Sequence, residues 1–363
     1  MKTCLVYRDR ILPASEHAFM RRQYMAFSRL KPFWVGCHRD NPPADLASTM
    51  RIIGEGHVLG GLQRLVFRQM GWGAGSAVAD LAPVVVHAQF GRGGALALPI
   101  AQQLGLPLVV TFHGGDAFKE RHYTNSFPPP IFQRRWQALV AYSSAFICVS
   151  DGVRDKLAER GVPDHKLDVL NIGTEDVLPA RGPFDRLVFA GRFVEKKGLP
   201  VLLDALRLLA AQGLTPQVVL AGDGPMRAAM EQSAQGLEHV RFTGWLAAAQ
   251  LRQQLEHAIA LVVPSVRAAG GDQEGLPSVA AEALMCGVPV VASAEAGLDD
   301  AMLDGGGMVV PAGNAQALAD ALAHVLHTGV RAGMGQAARR VARERLRASV
   351  QSARLEQRLL SVL

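Results

Sequence analysis

The chain has 363 residues, of which 49% are apolar and 19% charged, and its formal net charge is +6 at pH 7. This balance is typical of a folded globular protein and argues against extensive disorder, and the length predicts two domains of about 150–180 residues each. Its apolar runs are far shorter than the roughly 20 residues of a transmembrane helix, and the first ten residues do not resemble a signal peptide. The positions of the four cysteines show no paired spacing of the kind that disulfide-bonded proteins have, which favours buried, reduced thiols. We therefore expect a cytoplasmic protein.

Short apolar runs alternate with helical patterns along the whole chain, which predicts a doubly wound parallel α/β architecture. The strands expected in the first half are Cys4–Tyr7, Val84–His87, Leu108–Phe112, Phe146–Ser150 and Asp168–Asn171. Those expected in the second half are Arg186–Ala190, Gln217–Ala221, Val240–Thr243, Leu261–Pro264, Pro289–Ser293 and Met308–Val310. Leucines spaced at i, i+3 and i+4 predict a helix from Leu199 to Ala210. Further helices are expected over Ala315–Leu326 and in the basic segment that ends the chain.

A stretch punctuated by Gly and Pro, without periodicity, separates the two halves between Gly173 and Pro183. We therefore predict one Rossmann-like domain over residues 1–173 and a second over residues 184–345. Residues 346–363 are expected to form a helix that packs back on the N-terminal domain. Two such domains would face a central cleft at the carboxyl ends of both sheets, which is where open α/β sheets bind ligands.

Two segments interleave basic and apolar residues, Met20–Trp34 and Phe132–Trp136, and the segment from Arg339 to the end is also rich in arginine. Such segments can rest on an anionic membrane surface. They can equally be amphipathic helices that pack on the core with solvated arginines, and the sequence leaves both interpretations open. No nucleic-acid-binding motif accompanies the positive charge, so nucleic acid is not expected as a partner.

His113 follows a predicted strand and precedes Gly114, Gly115 and Asp116. A histidine at a strand end is often structural, but the glycines would allow a ligand to approach the backbone closely. The first predicted strand is not followed by a glycine-rich turn of the G-x-G-x-x-G type. Nicotinamide dinucleotide binding is therefore poorly supported.

Arg192 and Lys197 lie in a basic loop between a predicted strand and the leucine-striped helix. Two cations in this position can neutralise a diphosphate, and arginine can bind two oxygens at once. The alternative interpretation is a solvated basic loop. Glycine turns at Gly222 and Gly244 follow the next two predicted strands. These turns either line a pocket for a nucleobase or are ordinary turns of an α/β fold.

Glu274 and Glu282 flank the turn Gly275-Leu276-Pro277, and Pro277 suits the first position of a helix. Glu282 would then stand roughly 7–8 Å inside that helix. The amides of Gly275 and Leu276 could receive phosphate oxygens with help from the helix dipole, while Glu282 could accept hydrogen bonds from two ribose hydroxyls. The alternative is that both glutamates are surface charges, but charges within an apolar run are costly unless something binds them.

These motifs resemble those of retaining glycosyltransferases of family 4, which have the two-domain GT-B fold, and in particular bacterial members that assemble polysaccharides. The motif E-x7-E matches Glu274 and Glu282, and G-R-x4-K-G matches Gly191, Arg192, Lys197 and Gly198. The remaining matches are G-x-G-P at Gly222–Pro225, F-x-G at Phe242–Gly244 and H-G-x-D at His113–Asp116. The loop Leu12–Glu16 resembles the family's Pro-x-x-Ser-Glu loop with one residue fewer between Pro13 and Ser15, and the Gly-Gly pair that many members carry there is absent.

The resemblance implies transfer of a sugar, with retention, from a UDP- or GDP-linked donor to a glycan or lipid-linked oligosaccharide in polysaccharide biosynthesis. Residues 1–173 would then form the acceptor side and residues 184–345 the donor-binding domain. By this resemblance, Arg192 and Lys197 would bind the donor diphosphate, and Glu282 would bind the ribose. Glu274 would contact the transferred sugar, and His113 would contact the donor sugar near the reacting centre. Donor or acceptor contacts are implied for Ser15, Glu16 and Asp116.

The expected enzyme is a metal-independent hexosyltransferase without a cofactor, because the sequence has no Asp-x-Asp pair, no H-E-x-x-H, no Walker loop and no His/Cys cluster. Its expected location is the cytoplasm, with peripheral contact at the inner face of the membrane if the basic-apolar segments bind lipid. Two alternatives remain: a nucleotide-sugar epimerase or hydrolase of the same fold, and a non-catalytic nucleotide-sugar-binding protein. The nucleobase, the sugar and the acceptor stay open.

Overall fold

The computed structural model describes residues 1–11, 17–39, 44–119, 130–299 and 303–363. The chain forms two compact units, the first made of Met1–Gly173 with Ala348–Leu363 and the second of Thr174–Arg347. The first unit is therefore completed by the C-terminal segment, after the chain has finished the second unit. Ser15 and Glu16, which the sequence singled out, lie outside the described residues.

The first unit is built on a seven-stranded parallel sheet. Its strands are β1 (Lys2–Tyr7), β3 (Leu30–Gly36), β5 (Met50–Ile52), β6 (Pro83–Gln89), β7 (Leu108–Phe112), β8 (Ala145–Cys148) and β9 (Leu167–Val169), and a small separate pair is formed by β2 (Arg10–Ile11) and β4 (His38–Arg39). The spatial order is β5-β3-β1-β6-β7-β8-β9, so the direction in which the sheet grows reverses between β1 and β6.

Helices pack against this sheet and bury its central strands; all five residues of β7 are buried, as expected for a parallel sheet with helices on its faces. The helices of the first unit are His17–Arg22, Gly60–Met70, Gly91–Leu104, Gly115–Phe118, Ile131–Tyr142, Asp151–Glu159 and Ala348–Leu360.

The C-terminal helix Ala348–Leu360 is part of the first unit because its apolar and polar residues both find partners there. Leu355 and Leu359 join the core cluster that contains Leu30 and Trp34. The carboxylate of Glu356 accepts hydrogen bonds from the backbone N–H groups of Ser28, Arg29 and Leu30 at 2.7–2.9 Å. Glu356 therefore satisfies the backbone donors of the turn that leads into β3.

The second unit contains a six-stranded parallel sheet in the order β12-β11-β10-β13-β14-β15. Its strands are β10 (Arg186–Ala190), β11 (Gln217–Ala221), β12 (Val240–Gly244), β13 (Ala258–Val263), β14 (Val290–Ser293) and β15 (Gly307–Val310). Its helices are Leu199–Ala211, Arg227–Ser233, Ala248–Glu256, Ser278–Met285, Ala315–Val325 and Thr328–Arg345. The strand order reverses between β10 and β13.

The doubly wound parallel α/β prediction is confirmed in both units. The predicted leucine helix is also confirmed as Leu199–Ala211, with all five of its striped leucines buried in the core of the second unit. No helix in the described part of the chain is both long enough and apolar enough to cross a bilayer.

The interpretation of Met20–Trp34 as an amphipathic helix is wrong. The helix ends at Arg22, and the segment then turns and enters the sheet as β3, where Leu30 and Trp34 are buried. The sequence hides this strand because Pro32 lacks an N–H group and disfavours a central strand. It is tolerated because β5 pairs with β3 only over Trp34–Gly36, so Pro32 has a neighbouring strand on one side only. The short strand β5 was not predicted either.

The other basic-apolar segment, Phe132–Trp136, lies in the helix Ile131–Tyr142 and packs on the core. Phe132 is buried, and the Trp136 ring lies 6.2 and 6.4 Å, between centroids, from the rings of Phe112 and Phe146. Arg135 donates to the backbone oxygen of Ala95. The apolar face of this helix is therefore turned towards the core of the first unit.

Candidate functional site

The loops after β10 and β13 lie on either side of the strand-order reversal in the second unit. Ligands of open α/β sheets bind outside the carboxyl ends of the strands at such a reversal. Arg192 and Lys197 are on the loop after β10, and Glu274 is on the loop after β13. The two groups of predicted residues therefore meet at the place where this fold binds ligands.

Backbone packing holds these two loops together. Gly198 adopts φ +64°, and a Cβ atom there would collide with the carbonyl oxygen of Pro264. The N–H of Val266 donates to the Lys196 carbonyl at 2.9 Å, and the N–H of Ala269 donates to Glu195 Oε1 at 2.9 Å. Glycine at position 198 is therefore required both by its conformation and by the close approach of the second loop.

Glu274 is buried and joins the two loops electrostatically. Its Oε1 lies 3.3 Å from Lys196 Nζ and 3.3 Å from Lys197 Nζ. Lys196 also contacts Asp272 Oδ1 at 3.3 Å and donates to the Gln273 carbonyl at 3.2 Å. Burial alone would raise the pKa of Glu274, but the charges of Lys197 and Lys196 outweigh it and hold the pKa below its usual value.

The ion pairs leave Glu274 Oε1 without a hydrogen bond of good geometry. An ammonium group has three N–H donors, so contact with this carboxylate leaves each lysine able to bind further oxygens. The cluster is thus a buried carboxylate with two cations, a combination suited to a ligand that carries both hydroxyl groups and negative charge.

Glycine turns after the next strands close against the loop after β10. The Gly191 N–H donates to the Ala221 carbonyl at 2.9 Å, and the Gly222 N–H donates to the Gly244 carbonyl at 2.8 Å. Gly222 has φ +144°, and a Cβ atom on it would collide with the Gly191 carbonyl oxygen. Gly191, Gly222 and Gly244 therefore form one continuous backbone wall beside Lys197, whose Cε lies 3.2 Å from where a Gly191 Cβ would be.

The helix after Glu274 begins at Ser278, one residue later than the predicted start at Pro277. No side chain caps its first turn, so its N-terminal amides can bind an anion. Gly275 and Leu276 are buried just before it, and a Cβ atom on Gly297 would collide with the Gly275 carbonyl. Glu282 lies in the second turn and is half-buried.

Arg192 differs from the other predicted residues of this unit because its side chain is exposed. It makes no ion pair with any residue that the structure describes. Its place on the loop after β10 allows it to reach a ligand, but the fold does not fix its side chain as it fixes Lys197.

The first unit holds the other predicted residues, His113 and Asp116, together after β7. Asp116 is buried, and its two oxygens accept from the N–H groups of His113 and Gly91, each at 2.9 Å. Burial raises the pKa of Asp116, and these hydrogen bonds offset part of that increase. Asp116 therefore fixes the strand-end loop that carries His113.

His113 is held as a neutral imidazole. Burial in first place, and the charges of Arg8 and His87 in second, lower its pKa to about 3. Its Nε2 lies 2.7 Å from Gln89 Oε1, and Gln89 Nε2 donates in turn to Gln23 Oε1 at 2.8 Å. This orientation of the amide makes Nε2 the protonated nitrogen of His113. Its Nδ1 is then a buried acceptor, and it has no hydrogen-bond partner among the described residues.

Two residues of these clusters were missed by the sequence reasoning. Lys196 contacts Glu274 as closely as Lys197 does, and the signal was the adjacent Lys-Lys pair. Gln89 orients His113, and the signal was the polar alternation of His87 and Gln89 in a strand that is otherwise apolar. His87 itself is structural, since it is fully buried between Tyr24 and Thr111.

Each of the two units matches a family model of known proteins. Residues 185–328 match the family model described as glycosyl transferases group 1, and residues 26–173 match the model described as glycosyl transferase 4-like domain. Neither match includes the first 25 residues or the C-terminal helix. Together they extend over most of both units.

Two curated relatives are named for polysaccharide biosynthesis. The amylovoran biosynthesis glycosyltransferase AmsK of Erwinia amylovora is 32% identical over 247 residues, which cover 65% of this chain and 59% of AmsK. WcaL of Escherichia coli K12, named as a glycosyltransferase of colanic acid biosynthesis, is 30% identical over 253 residues, covering 66% of this chain and 60% of WcaL. The chain therefore spans about three fifths of the length of these relatives.

Among solved structures, HepE of Anabaena in complex with UDP and glucose superposes with a TM-score of 0.76. The alignment covers 99% of this chain and 100% of HepE at 18% identity, so it shows the fold alone. The predicted GT-B fold class is confirmed by this likeness and by the two doubly wound sheets.

Proposed function

Because the chain belongs to the group 1, family 4-like glycosyltransferases, we propose that it transfers a sugar from a nucleoside diphosphate sugar to a glycan or lipid-linked oligosaccharide acceptor. The observation that carries the proposal is the convergence of Lys196, Lys197 and Glu274 at the strand-order reversal of the second unit. AmsK and WcaL are named for polysaccharide biosynthesis, and this supports polysaccharide assembly as the setting.

The donor diphosphate would be bound by Lys197 and Arg192, with Lys196 adding a third charge. In the proposed reaction the anomeric C–O bond breaks and its electron pair moves to the diphosphate. Cations and helix amides that are held in place before the donor binds stabilise the developing charge without rearrangement; of the two donor cations, the fold holds Lys197 in this way. The proposal therefore assigns to Lys197, Arg192 and the first turn of the helix Ser278–Met285 the role that a metal ion has in other transferases, and it calls for no cofactor.

The nucleoside would lie against the glycine wall of Gly191, Gly222 and Gly244, whose backbone a planar base can approach closely. Glu282 would accept hydrogen bonds from the ribose hydroxyls, as its position in the second turn of the helix suits a pentose attached to a phosphate at the helix start. UDP is the first nucleotide to test because HepE binds it, and GDP remains the alternative.

Glu274 would contact the transferred sugar in the second unit, and His113 is proposed separately as a sugar contact of the first unit. A sugar hydroxyl that donates to His113 Nδ1 would give this buried acceptor the partner that the described residues do not provide. Asp116 would act as a positioning residue, through the loop that it fixes.

We propose that the reaction proceeds with retention by attack on the leaving-group face. The acceptor oxygen forms the new bond to the anomeric carbon, and its proton passes to the departing phosphate oxygen. Double displacement through Glu274 is disfavoured, because a carboxylate whose pKa is lowered by two adjacent lysines is a poor nucleophile. The alternatives, an epimerase or a hydrolase, would form product from the donor without any acceptor.

A panel of melting temperatures tests the nucleotide-sugar proposal. One of UDP, GDP or ADP, or its sugar conjugate, should raise the melting temperature visibly, because a ligand at about 100 times its dissociation constant stabilises the folded state by about 2.7 kcal/mol. The double variant Arg192→Ala/Lys197→Ala should lose the shift. If no nucleotide or nucleotide sugar stabilises the wild-type protein, the proposal is wrong.

We also propose that the protein is cytoplasmic and contacts the membrane peripherally. The surface that we propose for this contact differs from the predicted segments Met20–Trp34 and Phe132–Trp136. Val58, Leu59, Leu62, Leu65 and Trp72 are exposed together on and beside the helix Gly60–Met70. This helix contains arginines and no acidic residue, so the surface suits an anionic bilayer.

The protein should sediment with vesicles that contain anionic lipid at low salt, and the variant Leu62→Ser/Leu65→Ser should bind them about tenfold more weakly. Leu178→Ser is the matched control, because Leu178 is an equally exposed leucine of the second unit. Equal sedimentation of all three proteins, or none by the wild type, would rule out this surface.

A further inference from the structure

The first unit has a strand-order reversal of its own, between β1 and β6, and a cationic cavity lies at the carboxyl ends of these strands. The cavity has a volume of about 360 Å³. Its lining includes one carboxylate and five basic side chains: Asp9, Arg8, Arg10, His38, Arg68 and Arg92. They come from five separate elements: the loop after β1 supplies Asp9 and Arg8, β2 supplies Arg10, β4 supplies His38, and two helices supply Arg68 and Arg92.

Asp9 is shared between two arginines of this cavity. Its Oδ2 lies 3.2 Å from Arg68 Nη2 and 3.9 Å from Arg92 Nη2, so one carboxylate is shared by two guanidinium groups. Arg68 Nη1 is also 3.5 Å from His38 Nε2. Asp9 and Arg68 are largely buried, so bulk salt screens these charges less than it screens an open surface.

A helix start adds to the positive potential. The helix Gly91–Leu104 has 14 residues, and its N-cap residue, Phe90, provides no side-chain cap. It begins directly after Phe90, which has φ +66°, and its third residue, Gly93, lines the cavity. The first N–H group of the helix, that of Gly91, already donates to Asp116; the amides that follow it and the helix dipole both favour a bound anion. Arg8 packs over the Phe90 ring, with its Cζ 4.3 Å from the ring centroid, which restricts that guanidinium to the neighbourhood of the cavity.

We propose that this cavity binds a phosphate or diphosphate group carried by the acceptor substrate. The proposal rests on the proposed transferase function and adds a second anion site to it, distinct from the donor diphosphate site of the second unit. Guanidinium groups bind phosphate oxygens in pairs, and Arg68 and Arg92, which share the single carboxylate of Asp9, can each bind the oxygens of a phosphate dianion or diphosphate. The acceptor is therefore an anionic molecule.

Inorganic pyrophosphate is the probe for the site. The full-length chain is first saturated with the nucleotide that stabilises it, so that the donor site is filled, and is then titrated with pyrophosphate by calorimetry. We expect binding that weakens with salt, and a dissociation constant at least tenfold higher in Arg68→Gln/Arg92→Gln. The matched control Arg154→Gln/Arg207→Gln also removes two charges, from exposed arginines that pair with neighbouring carboxylates, and it should bind like the wild type.

Absence of pyrophosphate binding, or equal binding by the two double variants, would overturn the proposal. Either of these results can be distinguished from failure of the transferase proposal. If the transferase proposal fails, the nucleotide itself does not bind to the wild type or to either double variant. In that case the comparison of the two double variants still tests the cavity, with pyrophosphate alone.

Acceptor kinetics identify the source of the anion. If a lipid diphosphate occupies the cavity, Arg68→Gln/Arg92→Gln should raise KM at least tenfold for a lipid-diphosphate-linked acceptor, with kcat and the donor KM unchanged. If the phosphate belongs to the glycan, the same rise should appear with a phosphorylated glycan that lacks lipid. An unchanged KM for both acceptors would refute the assignment.

Discussion

Replacing Lys197 with alanine should lower kcat by about 10²–10³-fold, as loss of one preorganised group that stabilises developing charge does elsewhere. Lys197 is held beside Gly191 and 3.3 Å from Glu274, so its ammonium is fixed before the donor arrives. Its charge would interact most strongly with the diphosphate as the anomeric bond breaks. We therefore expect a larger effect on kcat than on the donor KM, measured in steady-state kinetics with saturating acceptor.

Two further variants separate this effect from loss of charge in general. Lys156→Ala removes a partly exposed lysine of the first unit that pairs with Glu159, and it should leave kcat unchanged. Lys196→Ala should have an intermediate effect, because Lys196 divides its contacts among Asp272, Gln273 and Glu274. Near-normal turnover of Lys197→Ala, with intact nucleotide binding, would show that Lys197 does not stabilise the leaving group.

Replacing Glu274 with glutamine should destabilise the second unit by about 3 kcal/mol, because two largely buried lysines would lose their shared counter-charge. Turnover should also fall by about 10²-fold if the carboxylate contacts the transferred sugar. Saturating nucleoside diphosphate should restore much of the lost stability, since its phosphates compensate the same lysines. Urea unfolding with and without nucleotide measures both effects.

The destabilisation should depend on pH in a defined direction. The folded-state pKa of Glu274 lies below its ordinary value of 4.5, so its contribution to stability is complete above that value and declines as the pH falls below it. The difference between wild type and Glu274→Gln should therefore shrink below about pH 4.5. Glu159→Gln, at an exposed position, is the control. A difference that is absent at pH 7, or that does not change with pH, would contradict the ion-pair assignment.

The sequence predicted the central strands and helices because their signals are local. Apolar runs of strand length marked β7 and β10, and the leucine spacing marked the helix Leu199–Ala211. The strand β3 could not be predicted in this way, because Pro32 and the flanking arginines obscure its pattern. It forms because Leu30 and Trp34 are buried in the core and Glu356, more than 320 residues away, satisfies the turn before it.

For the candidate site, the sequence by itself determined which residue types follow which strands: cations after β10, a carboxylate before a helix after β13, and a histidine after β7. Only the tertiary structure decided which of them meet. The strand order brings β10 beside β13, and Gly198 lets their loops touch, so that Lys196 as well as Lys197 pairs with Glu274. Burial and Gln89 together set the charge state and orientation of His113. Such contacts join positions far apart in the chain, and their energies depend on distance and burial, which no local pattern of residues records.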